Sequence, residues 1–208
     1  MDLQDIKTPG LSCDLHDNPD IKERELALSH KILMSVEKPA RYIGGESGSV
    51  IKDKEKVSVR FAFCFPDSYD IGMSHLGMKI LYSLTNQREA YWCERVFAPG
   101  IDFEEIMRRE NIPLYALESL DPVKDFDFIG FTMQYELSYT NVLNMLDLAG
   151  LPVFAKDRGD ELFNIVVAGG PNTTVSPNRP GMPEDLAYAI PSRWQIFLIC
   201  LFWARGKR

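Results

Sequence analysis

Apolar side chains first fall into alternation at Val59, Phe61, Phe63 and Phe65, and Ala62 and Cys64 between them are apolar too. The run 57–66 therefore predicts a β-strand covered on both faces. The period then lengthens. Met73, Leu76, Gly77, Ile80, Leu81 and Leu84 share one side of a helix that Ser74 can cap, with Met73 stapling from outside. Arg95–Phe97 reads as a second strand. Asp102 and Glu105 make a capping-box pattern before Ile106 and Met107, with Arg108 and Arg109 at the helix end. Leu114–Leu117 and Phe128–Thr132 read as the third and fourth strands. Leu137–Leu148 reads as a helix stopped by Gly150, Val153 and Phe154 begin another strand, and Ile165–Ala168 closes the series. Strands alternating with helices at this interval give an α/β fold, an open parallel sheet with right-handed crossovers and helices on both faces.

This pattern occupies residues 57–171. Residues 1–56 precede it as a polar leader to about Asp20, an accessory helix from Ile21 to Val36 ended by Pro39, and the glycine-rich loop Arg41–Ser49. That loop matches neither the phosphate-loop pattern GxxxxGK[ST] nor the dinucleotide pattern GxGxxG. Residues 172–208 form an atypical tail, broken by Pro177, Pro180, Pro183 and Pro191 and ending in an apolar burst, Trp194–Trp203, between Arg193 and Arg205. The burst is too short to span a bilayer.

Two glycine turns sit where apolar runs hand over to loops: Asp67–Gly77 after the first strand, and Gly169-Gly170-Pro171 after the last. In open α/β sheets such strand-end turns approach a bound ligand, because glycine lets the backbone come close without a Cβ clash. The candidate binding residues follow. Asp67, Tyr69 and Asp70 offer hydrogen bonds at the first strand end, or serve as turn formers. Ser74, His75 and Gly77 lie at the helix start facing the same edge. Gly169 and Gly170 admit a planar or amide-rich ligand, or make a tight turn. Tyr135, Glu136, Ser138, Tyr139, Thr140 and Asn141 open the next helix, where Ser138 and Thr140 suit phosphate or amide contacts and equally suit N-caps. Glu136 there complements the helix dipole. No Ser/His/Asp set, metal-ligand cluster or carboxylate pair can be assembled, so no catalytic residue and no metal ligand is assigned.

A formal net charge of −7 without a clustered basic face argues against nucleic-acid binding. Cys13, Cys64, Cys93 and Cys200 lack any CxxC spacing and no secretory signal opens the chain, so a reducing cytoplasm is expected. In that compartment the sequon Asn172-Thr173-Thr174 carries no modification.

Five blocks carry a family resemblance: Lys38–Glu46, Phe65–Gly77, Glu94–Pro99, Gln134–Gly150 and Ala168–Pro171. From Lys38 to Pro171 the chain resembles the amino-terminal region of an uncharacterised family of radical SAM proteins with a cobalamin-binding-type domain. The resemblance implies a Rossmann-like domain that binds cobalamin. It also implies a downstream radical SAM domain holding a four-iron cluster and S-adenosylmethionine. The domain's role would be to position a corrinoid or small-molecule substrate for radical chemistry. The chain departs from that pattern in two ways. It has no CxxxCxxC triplet to bind a cluster. Its sequence after Pro171 differs too, as in a truncated or frame-shifted product.

A cobalamin-ligating Asp-x-His-x-x-Gly motif is also incomplete, because His75 has Met73 two residues before it and Gly77 two after. His16 follows Asp14 at the right interval but meets Pro19 where glycine is needed. Two alternatives stay open: a scaffold or dimerisation domain that no longer binds cobalamin, and a flavodoxin-like phosphate or nucleotide binder.

Overall fold

The computed structural model describes residues 30–154, 157 and 164–170. The chain divides into two compact units, Met1–Ser35 and Val36–Arg208. In the first, the described residues form a single helical turn, α1 (His30–Leu33), closed by Ser35 Oγ donating to the Ile32 carbonyl at 2.7 Å. The rest of the expected accessory helix before His30, like the leader, lies outside the described residues. So does the tail 171–208.

The second unit is built on four parallel strands: β1 (Val59–Phe65), β2 (Tyr91–Phe97), β3 (Phe128–Thr132) and β4 (Ile165–Gly169), in the order β2-β1-β3-β4. β1 is followed by α2 (Tyr69–Ser74) and α3 (Leu76–Asn86), β2 by α4 (Ile101–Glu110) and β3 by α5 (Ser138–Leu148). The chain moves one way from β1 to β2 and the opposite way thereafter. Right-handed crossovers then put α3 on one face and α4 with α5 on the other. Arg108 donating to Asp147 at 2.7 Å and Asn144 donating to Glu104 at 2.8 Å tie α4 to α5 as neighbours. This is the open Rossmann-like α/β arrangement expected from the alternation.

β1 is central and buried on both sides. Phe63 and Phe65 join Met78, Tyr82, Cys93, Phe97 and Leu117 in one core cluster, while Ala62 and Cys64 are fully buried on the opposite face. α5 stops as expected at Gly150, whose φ of +69° suits a residue without a Cβ. The stretch that follows the glycine-rich loop is tied to the sheet body. Val50 N–H donates to Tyr82 Oη at 2.7 Å, and the Lys52 ammonium donates to the carbonyls of Asn86, Arg88 and Tyr91.

Several elements differ from the pattern reading. Leu114–Leu117 is not a strand, although it runs along the open edge of β2 and Leu117 N–H donates to the Arg95 carbonyl at 2.9 Å. The Arg95 N–H is taken at 2.7 Å by the Glu118 carboxylate instead of a carbonyl, so the ladder cannot propagate. One isolated antiparallel bridge, Tyr115 to Pro122, is all that forms. Val153 and Phe154 form a bend, with Asp157 N–H closing a turn onto the Phe154 carbonyl at 3.1 Å. Ser74 ends α2 instead of capping α3. Its hydroxyl donates back to Ile71, and His75 Nδ1 accepts the Met78 N–H as the true cap. Asp102 does not cap α4, whose N-cap is Gly100; it accepts the Glu37 N–H at 2.8 Å.

The predicted core face of α3 is also turned outward. Met78 and Tyr82 are buried, while Leu76, Ile80, Leu81 and Leu84 are exposed. Tyr82 settles the rotation: its hydroxyl accepts from Val50 and its ring lies 4.7 Å from the Arg95 guanidinium, contacts available only on the sheet side.

Candidate functional site

Strand order reverses between β1 and β3, and ligands of open α/β sheets enter outside the carboxyl ends at such a point. Here the two strand-end loops are joined. Tyr135 after β3 donates its hydroxyl to the Asp67 carboxylate after β1, and Asn141 donates to the Pro66 carbonyl at 2.9 Å. The Asp67 carbonyl accepts the Ala98 N–H at 3.1 Å, which brings in the end of β2. On the other side Met133 N–H donates to the Gly169 carbonyl at 2.6 Å. A Cβ on Gly170, at φ +139°, would lie 2.3 Å from the Met133 carbonyl oxygen. The close approach that this glycine permits is therefore to the neighbouring strand end.

Beside this crevice, at the ends of β1 and β2, lies a cavity of about 40 Å³. Phe97, Phe103, Met107 and Leu117 line it with apolar groups, and Arg41, Ser68 and Tyr69 add polar ones. Burial and the adjacent Glu46 push the Tyr69 phenol up to about 12, so it stays protonated and can donate.

Of the expected residues, the structure brings Asp67, Gly169 and Gly170 together at the crevice and puts Tyr69 at the cavity. The others do different work. Asp70 is exposed and paired with Arg41. Thr140 donates to the Leu137 carbonyl at 3.1 Å, and Ser138 is buried at the first turn of α5, whose N-cap is Leu137 with no side-chain cap bond. A Cβ on Gly77 would meet only the His75 ring.

Two buried ion networks had no place in the sequence reading. Arg95 donates through Nε to Glu118 at 2.6 Å and through Nη2 to Ser49 at 2.7 Å and Glu46 at 3.1 Å. Burial pushes the Glu118 carboxyl up to about 7 although Arg95 opposes the shift. On the other face Arg60 pairs with Glu94 at 2.5 Å and Asp121 at 2.8 Å, its guanidinium lying 5.1 Å from the Trp92 ring centre and 4.2 Å from that of Phe126. The available signal was a charged pair, Glu94-Arg95, inside the otherwise apolar run Tyr91–Phe97. Both networks fasten the 114–121 segment to β2, a registry role that buried pairs can fill.

The residues present do not fit a histidine-ligated corrinoid. Because His75 Nδ1 accepts the Met78 N–H at 3.1 Å, the ring proton sits on Nε2, and neither nitrogen offers a lone pair to cobalt. The cavity is also far below the ~300–1,000 Å³ of clefts that enclose drug-sized ligands. Nor do the described thiols converge on a cluster. Phe61 pairs with Cys93 and Cys64 with Val96, so the two cysteines point to opposite faces of the sheet, both fully buried with thiols pushed up by that burial. Among the described residues no group of three His, Cys, Asp or Glu side chains is placed to hold a metal ion, and no helix is long and apolar enough to cross a membrane.

Among curated proteins none matches the chain. Residues 77–181 match the family described as radical SAM proteins, N-terminal. The matched segment runs from the start of α3 through β2, β3 and β4, and so contains one side of the switch-point crevice. With half of its length matched in this way, the chain belongs to the radical SAM N-terminal family.

Proposed function

We propose that the chain is a non-catalytic N-terminal module that positions a small-molecule substrate at the carboxyl edge of its sheet. The radical chemistry would be carried out by a separate domain holding the iron–sulfur cluster and S-adenosylmethionine. The observation that carries this reading is the hydrogen-bonded switch point, where Asp67 and Tyr135 from two different strand ends converge on the edge open to a ligand. Asp67 accepts and Tyr135 donates, so the pair can exchange its mutual bond for contacts to a polar substrate while the parallel sheet holds both in place. Cobalamin remains the cofactor that the family resemblance proposes, and His75 gives it no ligand. A second reading, a docking scaffold that holds no ligand, is favoured by the exposed apolar stripe Leu76, Ile80 and Leu84 on α3.

Adding the full chain to the iron–sulfur domain of a family member should raise substrate-coupled cleavage of S-adenosylmethionine. Asp67→Asn and Tyr135→Phe should remove that gain. A gain untouched by both substitutions leaves the scaffold reading standing and overturns the first. In a parallel titration with hydroxocobalamin, wild type and His75→Ala should give the same visible spectrum, whereas a shift lost with His75 would reveal ligated cobalt.

A further inference from the structure

The cavity at the ends of β1 and β2 contains a charged donor that the crevice does not use. Arg41 lines it, and the buried Arg41 Nε–H meets no acceptor among the described residues, while Nη2 pairs with the Asp70 carboxylate. A buried donor left unmade costs the fold most of that group's desolvation. Ser68 lines the same cavity as the N-cap of α2, yet its hydroxyl makes none of the first-turn bonds that an N-cap serine ordinarily makes. Two polar groups of one cavity are thus left for another partner.

The position of Arg41 is fixed by long-range contacts. Pro39–Arg41 forms a 3-10 turn opened by proline, and the next residue, Tyr42, stacks on Phe103 with ring centres 4.1 Å apart. Tyr42 Oη accepts the Gly100 N–H at 3.1 Å, and its carbonyl accepts from Tyr115 Oη at 3.0 Å. The start of α4 and the 114–121 segment therefore hold the arginine's backbone at the cavity before any ligand arrives.

Size and lining select the ligand. A water-sized group needs about 10–15 Å³ of such space, so a cavity of about 40 Å³ takes about three or four heavy atoms. A guanidinium fork matches the two oxygens of a carboxylate, and Phe97, Phe103, Met107 and Leu117 suit a methyl group better than a fully hydrated anion. We infer that this cavity is a carboxylate subsite, in which the Arg41 Nε–Nη2 fork holds an acetate-sized acid and Ser68 adds a hydrogen bond. Asp70 then competes for the same guanidinium, and being exposed it can turn to water. Asp102, the nearby carboxylate at the start of α4, is engaged by the Glu37 N–H at 2.8 Å. The subsite shares no side chain with the Asp67–Tyr135 pair and stands whatever that pair binds.

Two methionines report on the two places separately. Met107 lines the cavity, whereas Met133 packs against Gly170 at the crevice. In the full chain carrying methyl-labelled methionine, titration with acetate should move the Met107 methyl resonance saturably and leave Met133 in place. Acetamide, and sodium chloride at equal ionic strength, should move neither. Arg41→Gln should weaken acetate binding at least about tenfold, since the charge-assisted fork is lost. Asp70→Asn, an exposed change that leaves the core intact, should tighten it roughly threefold, the scale of an exposed ion pair. A Met107 signal that stays still, or that moves equally with acetamide, overturns the inference. Unchanged acetate affinity in either variant also overturns it, and movement of Met133 in place of Met107 would assign the acid to the crevice instead.

Discussion

Glu118 shows how one side chain can set both geometry and pH response. Its carboxylate accepts the Arg95 N–H and ion-pairs with the same residue's guanidinium, holding the 114–121 segment on the edge of β2. The same burial raises its pKa from 4.5 to about 7, and burial moves Glu94 in the same direction. A folded-state value above the unfolded one means that the folded protein binds the extra proton. The stability linked to it is complete below about pH 4.5 and is lost as pH rises through about 7. Urea unfolding should therefore show stability falling between pH 5 and pH 8, by up to roughly 3 kcal/mol for a shift of this size. Glu118→Gln should flatten the slope; a wild-type profile already flat across that window would contradict the assignment. Glu118 was not legible in the sequence, since a lone glutamate after an apolar run reads as an exposed end.

At the scale of elements, α3 separates what periodicity can report from what it cannot. The helix is apolar on two sides, Leu76, Ile80 and Leu84 on one and Met78 with Tyr82 on the other, and only the second side meets the sheet. Met78→Ala should lower stability by about 2–5 kcal/mol, as expected for a fully buried side chain, whereas Leu84→Ala should change it by no more than about 0.5 kcal/mol. Chemical denaturation of the two variants measures the contrast directly, and equal losses would mean that the helix is rotated from this description. The strands were easier to read, because β1 and β3 are buried on both faces and their continuous apolar runs admit few other placements. The segment 114–117 resembled them in composition, yet a side-chain acceptor replaced the main-chain partner that would have extended its ladder.

For the whole molecule, the distribution of cysteines bears on the radical chemistry. A site-differentiated four-iron cluster needs three thiolates aimed at one point. Cys64 and Cys93 lie on opposite faces of the sheet and stay protonated in its core. Anaerobic reconstitution of the full chain with iron and sulfide should leave far fewer than four irons per chain, and Cys64→Ser with Cys93→Ser should change nothing. A stable four-iron spectrum lost in that double variant would be the opposite result.

The order of apolar and polar residues by itself determined the parallel α/β architecture, the positions of β1, β3 and β4, and the Gly150 stop, because each depends on local period or on the conformational freedom of one residue. It also placed Asp67, Gly169 and Gly170 at strand ends, where such sheets bind ligands. Only the tertiary structure decided which face of α3 is buried and that Tyr135 reaches Asp67. Those outcomes depend on partners far apart in the chain: Val50 for Tyr82, and Asp67 for Tyr135. Local pattern shows that a surface is apolar or a group polar, and the packed sheet selects which partner each one meets.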